Sequence, residues 1–109
     1  MNYQHKELSS GRWQKLSFME QMANIGSEVE RAILWREKNK DYARKALFRQ
    51  LELLDLTIAD QKNQLRLKEL TRLREALVDY FAFDNQYHSS DRLWRSYFYP
   101  FNFAARRDR

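Results

Sequence analysis

Apolar residues return along this chain at steps of three and four, with polar residues between them. Phe18, Met22, Ile25, Val29 and Ala32 form one such series. That spacing is one face of an α-helix and is incompatible with a strand. Ser17 followed by Glu20 fits a capping box, in which each side chain satisfies a free backbone N–H of the first turn. The spacing therefore predicts a helix from Ser17 to about Glu37. Gly26 costs it roughly 1 kcal/mol against alanine, which points to close packing against a neighbour. A second stripe runs through Ala43, Leu47, Leu51, Leu54 and Ile58, with Asn39 or Asp41 as its cap. Leu53 and Leu56 fall on the other side and Phe48 at an edge, so this helix is expected to be central or part of a subunit interface.

Asp60-Gln61-Lys62-Asn63 reads as a short turn. A third helix then carries Leu67, Leu70, Leu73, Leu77, Tyr80 and Phe81 to about Ala82. So short a connection makes the second and third helices antiparallel neighbours. Residues 83–88 read as a loop, and Ser89 or Ser90 can cap a fourth helix. Pro100 is expected to end or kink that helix, with one further turn over 101–107. Leu93, Tyr97 and Phe101 are expected to face the bundle, with Trp94 and Phe98 in a second row. Residues 1–12 lack periodicity and read as a flexible arm, leaving 13–109 as one domain. The predicted fold is all-α, an up-down bundle of three long helices plus a shorter, aromatic-rich C-terminal helix.

Composition sharpens this picture. With only 2 glycines and 1 proline in 109 residues, the connections must be short and the structure helical. The length fits one domain with a modest core, for which self-association is a common supplement, so a homo-oligomer is expected. The absence of cysteine excludes disulfides and thiolate metal sites and fits a reducing cytoplasm. The polar N-terminus has no apolar core of a secretory signal. No run approaches the roughly 18 apolar residues of a membrane span. A cytoplasmic protein without a membrane partner is expected.

Charge adds candidate partners. The formal net charge is +5, and it is unevenly spread. Residues 36–49 carry Arg36, Lys38, Lys40, Arg44, Lys45 and Arg49 against Glu37 and Asp41. Residues 62–74 carry Lys62, Arg66, Lys68, Arg72 and Arg74 against Glu69 alone. Lysine and arginine neutralise phosphates and release counterions, so Arg36, Lys38, Lys40, Arg44, Lys45, Arg49, Lys68 and Arg72 are candidate contacts to RNA or DNA. Ten of the 16 aromatic residues lie between Tyr80 and Phe103. Within that run Arg92, Trp94, Arg95, Tyr97, Phe98, Tyr99 and Phe101 are candidates for a protein interface, and Arg92, Trp94, Arg95 and Tyr97 also have the chemistry to stack on unpaired bases. The competing reading buries most of these rings in the core or between subunits. Arg74 falls inside an apolar sector, and a charge there must be paired. Asp55 and Glu28 flank the neighbouring stripes and are its expected partners. The alternative is a polar pocket in which Arg74 receives an anionic ligand.

Catalytic motifs are scarce. His5 and His88 are the only histidines, and no Gly-rich phosphate loop is present. No cofactor and no metal site are expected. Glu52 and Asp55 have the E-x-x-D spacing that places two carboxylates on one side of a helix, where they can share Mg²⁺. The all-α nucleotide pyrophosphatases combine that element with a second E-x-x-E, but here Glu28 and Arg31 occupy the nearest comparable spacing.

Residues 24–29, 53–60 and 72–77 (NIGSEV, LLDLTIAD and RLREAL) resemble a family of small uncharacterised bacterial helical proteins over roughly residues 16–106. The resemblance implies a bacterial cytoplasmic setting and a helical fold, and no site. In size, basicity and helix count the chain is also similar to the four-helix accessory proteins of diversity-generating retroelements, basic oligomers that work with a reverse transcriptase and RNA. The leading expectation is a non-enzymatic accessory protein contacting nucleic acid through basic helix faces. The alternatives are a protein–protein adaptor using the aromatic C-terminal segment and, behind it, a Mg²⁺-dependent pyrophosphatase-like bundle.

Overall fold

The computed structural model describes residues 11–107. Four helices carry the fold: α1 (Phe18–Trp35), α2 (Lys40–Ala59), α3 (Leu67–Ala82) and α4 (Asp91–Arg107). Two 3₁₀ segments, Trp13–Lys15 and Gln61–Arg66, precede α1 and α3, and no strand occurs among the described residues. The protein is an all-α helical bundle. The expected arm, residues 1–12, lies outside the described residues apart from Gly11 and Arg12.

Local chemistry sets the boundaries. The Ser17–Glu20 capping box is complete: the Glu20 N–H donates to Ser17 Oγ at 3.1 Å, and the Ser17 N–H donates to Glu20 Oε1 at 3.0 Å. Asn39, rather than Asp41, caps α2, accepting from the N–H groups of Asp41 and Tyr42. At Asp60 the backbone turns extended and α2 stops. The turn expected at 60–63 is instead the entry to a longer 3₁₀ segment, which the Asp60 carboxylate caps by accepting from the Lys62 N–H. Ser90 caps α4 through the Leu93 N–H.

α4 differs most from expectation. It runs unbroken through Pro100. Pro100 is exposed, so the carbonyl it leaves without a helical partner can be hydrated. The inward face also differs: Trp94, Phe98 and Ala105 are buried, whereas Leu93 points into solvent.

The core is a single cluster built from Met22, Ile25, Val29 and Ile33 of α1, Leu53, Leu54 and Leu56 of α2, Leu70, Leu73 and Leu77 of α3, and Trp94 and Phe98 of α4. Trp13 closes it from the N-terminal side. On α2 the buried face is centred on Ala46, Leu47, Gln50, Leu53, Leu54 and Thr57, turned from the anticipated stripe so that Ala43, Leu51 and Ile58 become its margin. α1 packs along both α2 and α4. A Cβ on Gly26 would lie 2.9 Å from Phe98 carbons, which explains the glycine in that helix. α3 rests mainly on α2 and approaches α4 through long side chains: the Tyr97 hydroxyl donates to Glu69 at 3.1 Å, and the Tyr80 ring centroid is 6.4 Å from that of Trp94.

Candidate nucleic-acid interface

The two basic segments begin on different helices. Residues 36–49 span the α1–α2 connection and the first half of α2; Lys68 and Arg72 open α3. Because α2 and α3 run antiparallel, their first turns lie at opposite ends of the bundle, roughly 20–30 Å apart at 1.5 Å per residue. The contact of Arg36 with Tyr80 fixes this arrangement, since it brings the end of α3 to the α1–α2 corner. The basic candidates are thus two separate patches and not one continuous face.

Not all of them face outward unengaged. Arg36 donates to Asp91 Oδ2 at 2.7 Å and to the Tyr80 hydroxyl at 3.5 Å, and that hydroxyl also donates to Asp91. This knot joins the ends of α1 and α3 to the start of α4. Burial pushes the Asp91 carboxyl up, but the hydrogen bonds from Arg36 and Tyr80 prevail and hold it below its ordinary value. Arg49 is half-buried, 4.0 Å from Glu28. By contrast, Lys38, Lys40, Arg44 and Lys45 have no carboxylate within ion-pair distance among the described residues. Arg36 and Arg49 are structural; the other four cations form the open part of the corner.

The corner also carries two aromatic rings that sequence reasoning passed over. Trp35 ends α1 and is 39% exposed, and Tyr42 in the first turn of α2 is 53% exposed. Their centroids are 5.3 Å apart with planes at 58°. Lys38 Nζ sits 5.9 Å from the Trp35 centroid, and Lys45 Nζ 5.9 Å from that of Tyr42. The seven-residue separation across a helix boundary gives no periodic signal. Only the alternation of aromatic and basic residues from 35 to 48 could have marked it.

The C-terminal aromatic run is mostly spent on packing. Trp94 and Phe98 are buried, Tyr97 and Phe101 are half-buried, and only Tyr99 is widely exposed among the candidates. Burial, reinforced by nearby Glu69, pushes the Tyr97 hydroxyl well above its ordinary value, so it remains a neutral donor. Arg95 is held in a two-pronged ion pair with Glu30, both contacts at 2.8 Å. Arg92 is exposed. Arg92, Trp94, Arg95 and Tyr97 do not present a common stacking face: Trp94 is buried, Tyr97 is half-buried, and the Arg95 guanidinium is paired.

Arg74 pairs with Asp55 at 2.9 Å, but the pair lies at the surface and not inside the bundle. Both side chains reach water there. Glu28 is the buried member of the expected set, and its partners are Arg31 at 2.8 Å and Arg49, not Arg74. With Asp55 engaged by Arg74, the E-x-x-D element presents no open carboxylate pair. No group of three or more His, Asp or Glu side chains suited to a metal ion occurs among the described residues.

A second feature is a groove of about 870 Å³ between α3 and α4. Its lining includes Leu65, Lys68, Arg72, Ala76, Tyr87 and Tyr97, and Leu65 stands fully exposed at its rim. No described helix is long and apolar enough to cross a membrane. No family model, no curated protein and no solved structure matches the chain.

Proposed function

We propose that this protein is a non-enzymatic accessory protein that contacts nucleic acid through the α1–α2 corner. One observation carries the reading: Lys38, Lys40, Arg44 and Lys45 stand exposed at one end of the bundle without carboxylate partners among the described residues. Clustered exposed cations favour a polyanion, and phosphate contacts are the usual source of affinity for one. The test is fluorescence anisotropy with labelled single-stranded RNA across a salt series. Binding should weaken with salt by a slope of about −0.7 per phosphate contacted. The triple reversal Lys40→Glu, Arg44→Glu, Lys45→Glu should abolish it while leaving the thermal midpoint in place. Arg49 is left out of that set because its side chain is engaged with the α1 interface. Unchanged binding by the triple variant would sink the proposal.

A protein–protein reading is favoured by the α3–α4 groove, whose apolar lining and exposed Leu65 suit burial against a second copy of the chain. If so, light scattering on the purified protein should give an oligomer that Leu65→Glu dissociates. A monomer at high concentration would rule out that use of the groove.

A further inference from the structure

Trp35 and Tyr42 take no part in the core. On α1 the last buried residues are Ala32 and Ile33, and on α2 burial begins at Ala46. The two rings lie beyond both limits, pack against each other, and each has a lysine ammonium over it. Exposed aromatics are ordinary one at a time; a contacting pair bearing a cation on each ring is a more specific arrangement. The pattern extends along α2, where Arg44 and the exposed Phe48, four residues apart, share one outward face.

We infer that this corner is a stacking site for the unpaired bases of a single-stranded nucleic acid. Trp35 and Tyr42 take the bases, and Lys38, Lys40, Arg44 and Lys45 take the flanking phosphates. The inference rests on the nucleic-acid reading above and adds to it the class of strand. Each ammonium sits almost 6 Å from its ring centroid, a loose cation–π perch. A lysine stem is flexible enough to swing from the ring to a phosphate, which frees the ring face for a base. Duplex bases are stacked on one another and show only their edges, so they cannot use such a platform. Single strands can, and aromatic stacking serves any base because every base has a π-face. The charges are complementary to a polyanion, and two of them lie 5.9 Å from the ring centroids.

The experiment uses the full chain and labelled oligouridylate, which stacks weakly on itself, beside the same strand paired with oligoadenylate. Wild type should bind the single strand more tightly than the duplex. Trp35→Ala and Tyr42→Ala should each weaken single-strand binding by about fivefold or more, with duplex binding and helicity unchanged. Tyr99→Ala, at another exposed ring, should bind as wild type. Because Trp13 and Trp94 are buried, quenching of the accessible tryptophan emission by unlabelled oligouridylate should report base contact at Trp35. If both alanine variants bind as wild type, or the duplex binds as tightly as the single strand, the stacking site is overturned and the nucleic-acid reading stands on charge alone. If wild type binds neither form at low salt, both fall, and the corner's occupant is to be sought among acidic proteins.

Discussion

Gly26 shows how one side chain's absence sets a helix crossing. Its missing Cβ lets Phe98 approach α1 to a distance that a methyl group would occupy. Gly26→Ala gains roughly 1 kcal/mol of helix propensity but incurs roughly 1–3 kcal/mol of overpacking. A net loss of about 1 kcal/mol is expected, read as a lower denaturant midpoint; a gain would show that α4 can move aside. The need for close packing was visible in the sequence, since a glycine inside a strong helical pattern requires a reason, but the partner was not. Trp13 is the opposite case. It lies before the first periodic stripe and carried no signal, yet it is almost wholly buried, with its indole N–H donating to Thr57 Oγ1 at 2.9 Å. Around it Gln21 donates to the Trp13 carbonyl and to Asp60, and Asn63 donates to Gln21 and to the Thr57 carbonyl. These polar residues form a buried network whose members come from four segments. No local pattern predicts such a network, because each member is an ordinary polar residue until the fold brings the others to it.

Among the elements, α1 and α3 differ in how firmly they are held. α1 is packed on two sides, whereas α3 buries only Leu70, Leu73 and Leu77, one side chain per turn. The Arg74–Asp55 pair that links α3 to α2 is solvent-exposed and contributes at most about 1 kcal/mol. Amide hydrogen exchange should therefore be faster in α3 than in α1, in the manner of a locally opening unit. Equal protection of both helices would mean that the bundle opens only as a whole. Helix periodicity placed every long helix, because burying one stripe requires that spacing. It did not predict the continuity of α4 through Pro100, nor the rotation that buries Trp94 in place of Leu93. Both depend on which side of α4 the core occupies, and with aromatic residues on nearly every side the sequence leaves that choice open.

For the whole molecule, two carboxylates tie distant segments together. Asp60 and Asp91 are both pushed up by burial and pulled below their ordinary value by their hydrogen-bond partners, Lys62 and Gln21 for the first and Arg36 and Tyr80 for the second. A carboxyl whose folded pKa lies below the unfolded one stabilises the fold above the unfolded value and loses that contribution as pH falls through the folded one. Stability should therefore decline on acidification below about pH 4. Asp91→Asn should cost about 1 kcal/mol at neutral pH, a figure reduced for partial exposure, and should flatten the acid limb of the melting profile. An unchanged limb would mean that the Arg36–Tyr80–Asp91 knot is not held in solution. The same knot withdraws Arg36 from the basic surface, something a charge count cannot reveal. The sequence alone determined the helical class, the bounds of α1, α2 and α3 and the start of α4 to within a turn, and the basic character of the α1–α2 corner, because these follow from periodicity, capping and charge within short windows. Tertiary structure alone decided which cations stay open, which aromatics are core and that Trp35 meets Tyr42, because pairing and burial depend on neighbours supplied by other helices.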